Sequence, residues 1–190
     1  MTPILRVSDA HFVRDGVELI APFSLTLEDG QRAALTQPTP NAAKIAARIA
    51  AAIVKPTCGS VFISDFDTRL QPPQAKRLVG FVPADGFEGS TRTFARELKF
   101  RAQVWNLELA TLERSAADVL AALEDLKLEY ARTVALALAP DVHLIVLECA
   151  RYGVVERIAT LRPNAAIFAS SATNAPTTHP PVIEFAVTVT

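Results

Sequence analysis

The stretch ALTQPTPNAAKIAARIAAAIVKPTCG, residues 34–59, decides how the chain is read. Its first residues are apolar and read as the end of a strand. A short loop containing Pro38 and Pro40 follows. Residues 42–54 then read as an Ala/Ile helix, with Asn41 as the expected N-cap. Ile45, Ile49 and Ile53 lie four apart and predict one helix face, while Lys44 and Arg48 predict another. Lys55-Pro56 and Gly59 are the expected stop. Strand, loop and helix in this order are the layout of a phosphate-binding loop, which ordinarily carries G-x-x-x-x-G-K-[ST]. Here no glycine stands between Gly30 and Gly59. Glycines let successive backbone N–H groups turn toward phosphate, whereas Pro38 and Pro40 have no N–H and a fixed φ.

Upstream, residues 4–7, 17–20, 23–27 and 32–36 read as strands, with turns at Asp15-Gly16 and at 28–30. Phe23, Leu25 and Leu27 alternate with polar residues, so one face of that strand is expected to be buried. Downstream, 60–63 and 78–83 read as strands and Pro72-Pro73 as a loop. From 91 to 128 the periodicity is helical, with a break near Asn106, and a further helix is expected over 130–138. The runs LIVL (144–147) and 165–169 read as parallel strands buried on both faces. Residues 170–181 are rich in Ser, Thr and Pro and predict a loop before a last strand at 182–189. The expected class is α/β: a mostly parallel core sheet, an N-terminal antiparallel β-subdomain, and a reduced helical subdomain over 91–130, all in one domain spanning 1–190.

Composition narrows the partners. Half of the 190 residues are hydrophobic and the net charge is -1, from 19 basic and 20 acidic residues. That balance argues against a nucleic-acid surface. No run of about 18 uncharged apolar residues is present, so no insertion into a membrane is expected. The N-terminus lacks the features of a signal peptide. Two cysteines, Cys58 and Cys149, suit neither a disulfide framework nor a zinc site. A reduced, cytoplasmic location is expected.

Five phrases, in order, resemble the ATPase domain of ATP-binding-cassette (ABC) transporters: FSLTLEDGQRAAL (23–35), AAIVKPTCG (51–59), GFVP (80–83), FEGSTRTFAREL (87–98) and TVALALAPDVHLIVL (133–147). The resemblance runs over most of the chain and implies a P-loop NTPase-like core, ATP with Mg as ligands, and a membrane permease subunit or another ABC ATPase as partner. A second copy of the chain is a further partner that it implies. An ungapped alignment puts Gln37 and Ala42 at the two loop-glycine positions, Ala43 at the lysine, and Lys44-Ile45 at the [ST] pair. A one-residue slip brings Lys44 to the lysine but leaves Ile45 at the Mg-binding hydroxyl. Arg14 falls at the adenine-stacking aromatic, Ala84 at the Q-loop glutamine, Glu148 at the Walker B aspartate and Cys149 at the catalytic glutamate. Ser171 or Ala172 stands at the switch histidine, LEDLKLEYAR (123–132) has no signature glycine, and the segment between Arg151 and Arg162 is shortened.

Each charged position has a bland reading beside the functional one. Arg14 is a base-stacking guanidinium or a surface arginine. Lys44 is a phosphate contact at a helix N-terminus or a solvated lysine. Glu148 is a metal carboxylate or a structural hydrogen-bond acceptor. Cys149 has no histidine partner in a matching motif and reads as an inert thiol, with no catalytic residue and no metal site expected. Phe100 and Trp105 lie where the resemblance places docking onto a membrane subunit; core packing is the default, and exposure favours docking. The leading expectation is a degenerate ABC-type subunit, without hydrolysis or a firmly bound cofactor, that serves a transporter as a structural or regulatory partner. The alternatives are a weak nucleotide-binding ATPase completed by a complementary partner, and a soluble scaffold with no transporter link.

Overall fold

A computed structural model describes residues 2–84, 93–149, 152–172 and 182–186, with nothing described of the side chains of 152 and 182–186. Two sheets organise the chain. The first is antiparallel, in the order β2-β1-β4-β5, from β1 (Leu5–Arg14), β2 (Val17–Leu27), β4 (Cys58–Ile63) and β5 (Phe66–Asp67). Asp15 and Gly16 both have positive φ, the backbone that a two-residue hairpin between right-twisted strands requires. The two strands expected over 17–27 are one continuous strand, in which Phe23, Leu25 and Leu27 are buried in alternation. Gly59 is needed at its position: a Cβ there would lie 2.3 Å from the Asp9 carbonyl oxygen, and its φ is +83.

The second sheet runs β6-β7-β8-β3-β9. Its strands β6 (Val79–Val82), β7 (Leu144–Leu147), β8 (Ala166–Ala172) and β3 (Arg32–Gln37) are parallel, and β9 (Val182–Ala186) adds antiparallel to β3. All four residues of β7 are buried, as a central parallel strand demands. Strand β8 continues through Ser170 and Ser171 to Ala172, so the first three residues of the expected loop are strand. Residues 173–181 and 187–190 lie outside the described residues, as do 85–92 at the expected start of the helical block.

One face of the core sheet packs with the antiparallel sheet and with α1 (Pro40–Ala50). The other packs with α3 (Phe94–Trp105), α4 (Leu109–Ala122), α5 (Leu128–Leu138) and α6 (Tyr152–Leu161). Gly80 lets α5 approach β6, since a Cβ there would lie 2.5 Å from the Ala137 carbonyl oxygen. Asn106, in a left-handed conformation, separates α3 from α4 where the break was expected. Helix α6 occupies the segment whose sequence resemblance reads as shortened, and α2 (Pro72–Arg77) starts at the Pro pair that reads as a loop. Proline is well placed in a first helical turn, where its missing N–H costs nothing. Among the described residues no helix is long and apolar enough to cross a membrane.

Helix α1 differs from expectation at both ends. Its N-cap is Thr39, not Asn41, and Pro40 is its first residue. It ends at Ala50, four residues before the expected stop, because Ala52 turns left-handed at φ 58. The N–H groups of Ile53 and Val54 return to the Arg48 carbonyl and close the helix end. The buried face is built of alanines together with Ile49; Ile53 lies beyond the helix and is 48% exposed.

Candidate functional site

The carboxyl ends of parallel strands are where an open α/β sheet offers a crevice. Gln37, Ala84, Glu148 and Ser170 to Ala172 all lie at or just beyond that edge here. The loop from β3 to α1 holds only Pro38 and Thr39. Thr39 Oγ1 accepts from the Ala42 N–H at 3.1 Å, and its carbonyl accepts from the Ala43 N–H at 3.0 Å. The helix N-terminus is therefore capped from within the chain.

Glu148 follows β7 with its side chain wholly buried. Arg48, one turn after Lys44 on α1, donates from Nε to Glu148 Oε1 at 2.8 Å. The Ala84 N–H donates to Oε2 at 2.9 Å. Both carboxylate oxygens thus have a partner, one charged and one neutral. The pair ties α1, β7 and the residues after β6 together. A buried carboxylate needs such partners, because an unpaired charge costs several kcal/mol.

Polar neighbours continue along the edge. Ser170 Oγ accepts from the Cys149 N–H at 3.2 Å, and the hydroxyls of Thr36 and Ser171 lie 3.0 Å apart. Gln37 is buried, and its Nε2 has no hydrogen-bond partner. Lys44 is half-buried on the α1 face that carries Arg48. Arg14 stands in the other sheet, exposed at the end of β1, where it pairs with Asp15 at 3.7 Å. The structure thus brings Gln37 and Glu148 to one edge, with Lys44 on the helix beside them. Arg48 belongs to the same group and was missed as a partner of Glu148. Its spacing of four from Lys44 was the only local signal, and the hundred residues to Glu148 are closed by the fold. Among the described residues no group of three His, Cys, Asp or Glu is placed to hold a metal ion.

A groove of about 420 Å³ opens beside this edge. Its floor is Phe81 and Pro83, one wall is Ile53 after α1, and the other is α3 with Phe100, Val104 and Trp105. Phe100 is 42% exposed and Val104 is 52% exposed. Arg101 lies against this wall, donating to Glu97 at 3.3 Å and to the Leu136 carbonyl at 2.9 Å. Burial lowers the pKa of its guanidinium, opposed by Glu97.

The same architecture recurs in solved structures. One titled "Structure of ATP binding subunit of ABC transporter" matches 90% of this chain and 80% of its own at a TM-score of 0.71 and 16% identity. The fold is that of an ABC ATPase domain. A bacterial Atm1-family ABC exporter with ATP bound matches 90% of the chain at a TM-score of 0.65 and 13% identity, over 35% of its own length. The third is cbiO1 from Clostridium perfringens, part of the ABC transporter complex cbiONQ. It matches 90% of this chain and 79% of its own at a TM-score of 0.64 and 14% identity. No protein-family model matches the chain, and no curated protein matches it. In the ABC-type fold, the loop closed by Thr39 lies between core strand β3 and helix α1, and Glu148 sits at the end of central strand β7.

Proposed function

We propose that the chain is an ABC-type subunit that does not hydrolyse ATP and serves as a structural or regulatory partner in a transporter. The observation that carries this reading is the capped start of α1. A triphosphate cradle needs a run of free N–H groups. Pro38 and Pro40 have none, and Ala42 and Ala43 give theirs to Thr39. ATP with Mg does not fit these residues. Lys44 and Gln37 stand at the edge beside a loop of only Pro38 and Thr39, and Arg14 pairs with Asp15 in the other sheet. Both oxygens of the buried Glu148 carboxylate are already bonded, to Arg48 and to the Ala84 N–H. Cys149, at the position of the catalytic carboxylate in the resemblance, cannot orient and deprotonate an attacking water as a carboxylate does.

The partner role draws on the groove at α3 and on the neighbours' printed roles as transporter subunits. Of the two aromatic residues expected there, Phe100 is exposed, which fits docking, whereas Trp105 is half-buried. On this reading residues 1–190 form one ABC-type unit with a small helical block over 91–130, placed on the cytoplasmic side of a membrane against a permease subunit or a second ABC ATPase. The test is Mg-ATP turnover by the pure protein. The expected rate equals the buffer background. Turnover above background that Glu148→Gln abolishes overturns the proposal. Calorimetric binding of ATP that is lost in Lys44→Ala would favour instead a nucleotide-binding subunit completed by its partner.

A further inference from the structure

We propose that the cavity at the amino ends of β3, β7 and β8 binds a small amino acid, a molecule with one ammonium and one carboxylate group. It lies at the opposite edge of the core sheet from Glu148, and neither a nucleotide nor a transporter partner enters its chemistry. The turns that lead into these three strands surround about 540 Å³, a volume within the usual range of small-molecule sites. Their backbones are bonded to one another. The Gly30 N–H donates to the Asn164 carbonyl at 3.1 Å, and the Ala166 N–H donates to the His143 carbonyl at 2.9 Å. Gly30 has φ +70, and a Cβ there would lie 3.0 Å from the Pro163 carbonyl oxygen, so glycine lets the first turn close against the third. The walls are set before any ligand arrives, which spares a ligand the cost of ordering them.

The lining carries both signs of charge, and neither neutralises the other. Asp29 and Asp141 are exposed on it, and neither has an ion pair among the described residues. Arg162 is half-buried. Its Nη1 donates to the Leu161 carbonyl at 3.1 Å, and its Nη2 donates to Ser115 Oγ at 2.9 Å and to the Leu138 carbonyl at 2.8 Å. All three acceptors are neutral. They fix the guanidinium in place, yet its charge stays unpaired and its Nε–H has no partner among the described residues. Asn164 and His143 add side chains that can donate as well as accept. This pattern selects the ligand by elimination. Among the described residues no group of three His, Cys, Asp or Glu is placed to hold a metal ion. An amine alone would leave Arg162 unpaired, and a carboxylate alone would face Asp29 and Asp141. A molecule with both groups sets its carboxylate against Arg162 and its ammonium against the two aspartates, each through charge-assisted hydrogen bonds.

The experiment is calorimetry and thermal unfolding of the 190-residue protein with free alanine, leucine, β-alanine and γ-aminobutyrate, and with n-propylamine and propionate as half-ligand controls. At least one of the four amino acids is expected to bind saturably at about 1 mM or below and to raise the melting point, while neither control does so at the same concentration. Their order of affinity reads the spacing between the two charges. Asp29→Asn and Asp141→Asn are each expected to weaken the best amino acid about five-fold, as the loss of an exposed charge pair does. Arg162→Gln is expected to weaken it about ten-fold, because its half-buried guanidinium makes the stronger contact. Arg162 also holds α4 and α5 through Ser115 and Leu138, so the two aspartate variants, both at exposed positions, keep the test decisive if Arg162→Gln does not fold. No saturable binding below about 10 mM, a control that binds as tightly as the best amino acid, or an affinity unchanged in both aspartate variants each overturns the proposal.

Discussion

Helix α1 touches two regions that use space in opposite ways. At its first turns the carboxyl edge of the sheet is filled from inside the chain. Thr39 takes the helix N–H groups, and Arg48 reaches the buried carboxylate of Glu148. At its last turn the left-handed Ala52 throws Ile53 outward, and a groove stays open. The filled edge is polar, and Glu148, Ser170 and Thr36 are bonded within the chain while Gln37 Nε2 is not. The open groove is apolar and has nothing among the described residues to cover Ile53 and Val104. The difference teaches where binding capacity lies in this ABC-type fold. The Arg48–Glu148 pair joins separated elements, while the hollow leaves apolar side chains exposed.

Breaking the joint has the largest expected effect. Arg48→Ala leaves Glu148 buried without its cation. A fully buried pair broken this way costs about 3–5 kcal/mol, and the half-exposed Arg48 brings the expectation to roughly 2–3 kcal/mol. Thermal unfolding should fall by about 5–10 °C for a chain of this size. Adding Glu148→Gln removes the stranded charge and keeps an acceptor for the Ala84 N–H, so the double variant should recover most of the loss. A double variant as unstable as Arg48→Ala would mean that the pair is not what holds the edge.

Thr39→Ala tests the cap alone. Losing an N-cap side chain costs about 1 kcal/mol, read as a drop of roughly 2–4 °C. No drop would mean that Pro40 starts the helix without help. The smallest effect belongs to a surface pair, Arg157 with Asp125, which ties α6 to the turn before α5. The hydrogen bond from Arg157 holds the Asp125 carboxyl below its ordinary pKa. Whatever stability this gives is therefore present at neutral pH and lost as the pH falls through the lowered value. Both groups are exposed, so Arg157→Ala should shift the melting point by less than about 2 °C at pH 7. A shift as large as that of Arg48→Ala would erase the contrast between buried joint and surface pair.

Much of the fold was legible in the residues. Alternation in 23–27, the Asp15-Gly16 turn and the wholly apolar LIVL run are local signals, and each produced the expected element. Helix ends were less legible. Thr39-Pro40 is a start signal that competed with Asn41, and hydrogen bonding to the Ala42 N–H settled it for Thr39. Ala52 carries no sign of a left-handed stop, since that position usually holds glycine. Helix α6 has apolar spacing, yet the resemblance drew attention to its length instead of its pattern.

By itself, the sequence determined which backbone donors residues 37–45 lack. Prolines at 38 and 40 lack N–H groups, and no glycine is there to open the loop. The order of the larger strands and helices, though not β5, α2 or α6, likewise followed from periodicity, which is a property of near neighbours. Only the tertiary structure decided what stands in the place of that loop's chemistry. Arg48 and Glu148 are far apart in the chain and meet because α1 lies across the end of β7. The groove is also a product of assembly, since its walls come from three separated segments brought together by burial on the two faces of one sheet. Contacts of that kind depend on how the elements pack, and no local pattern encodes them.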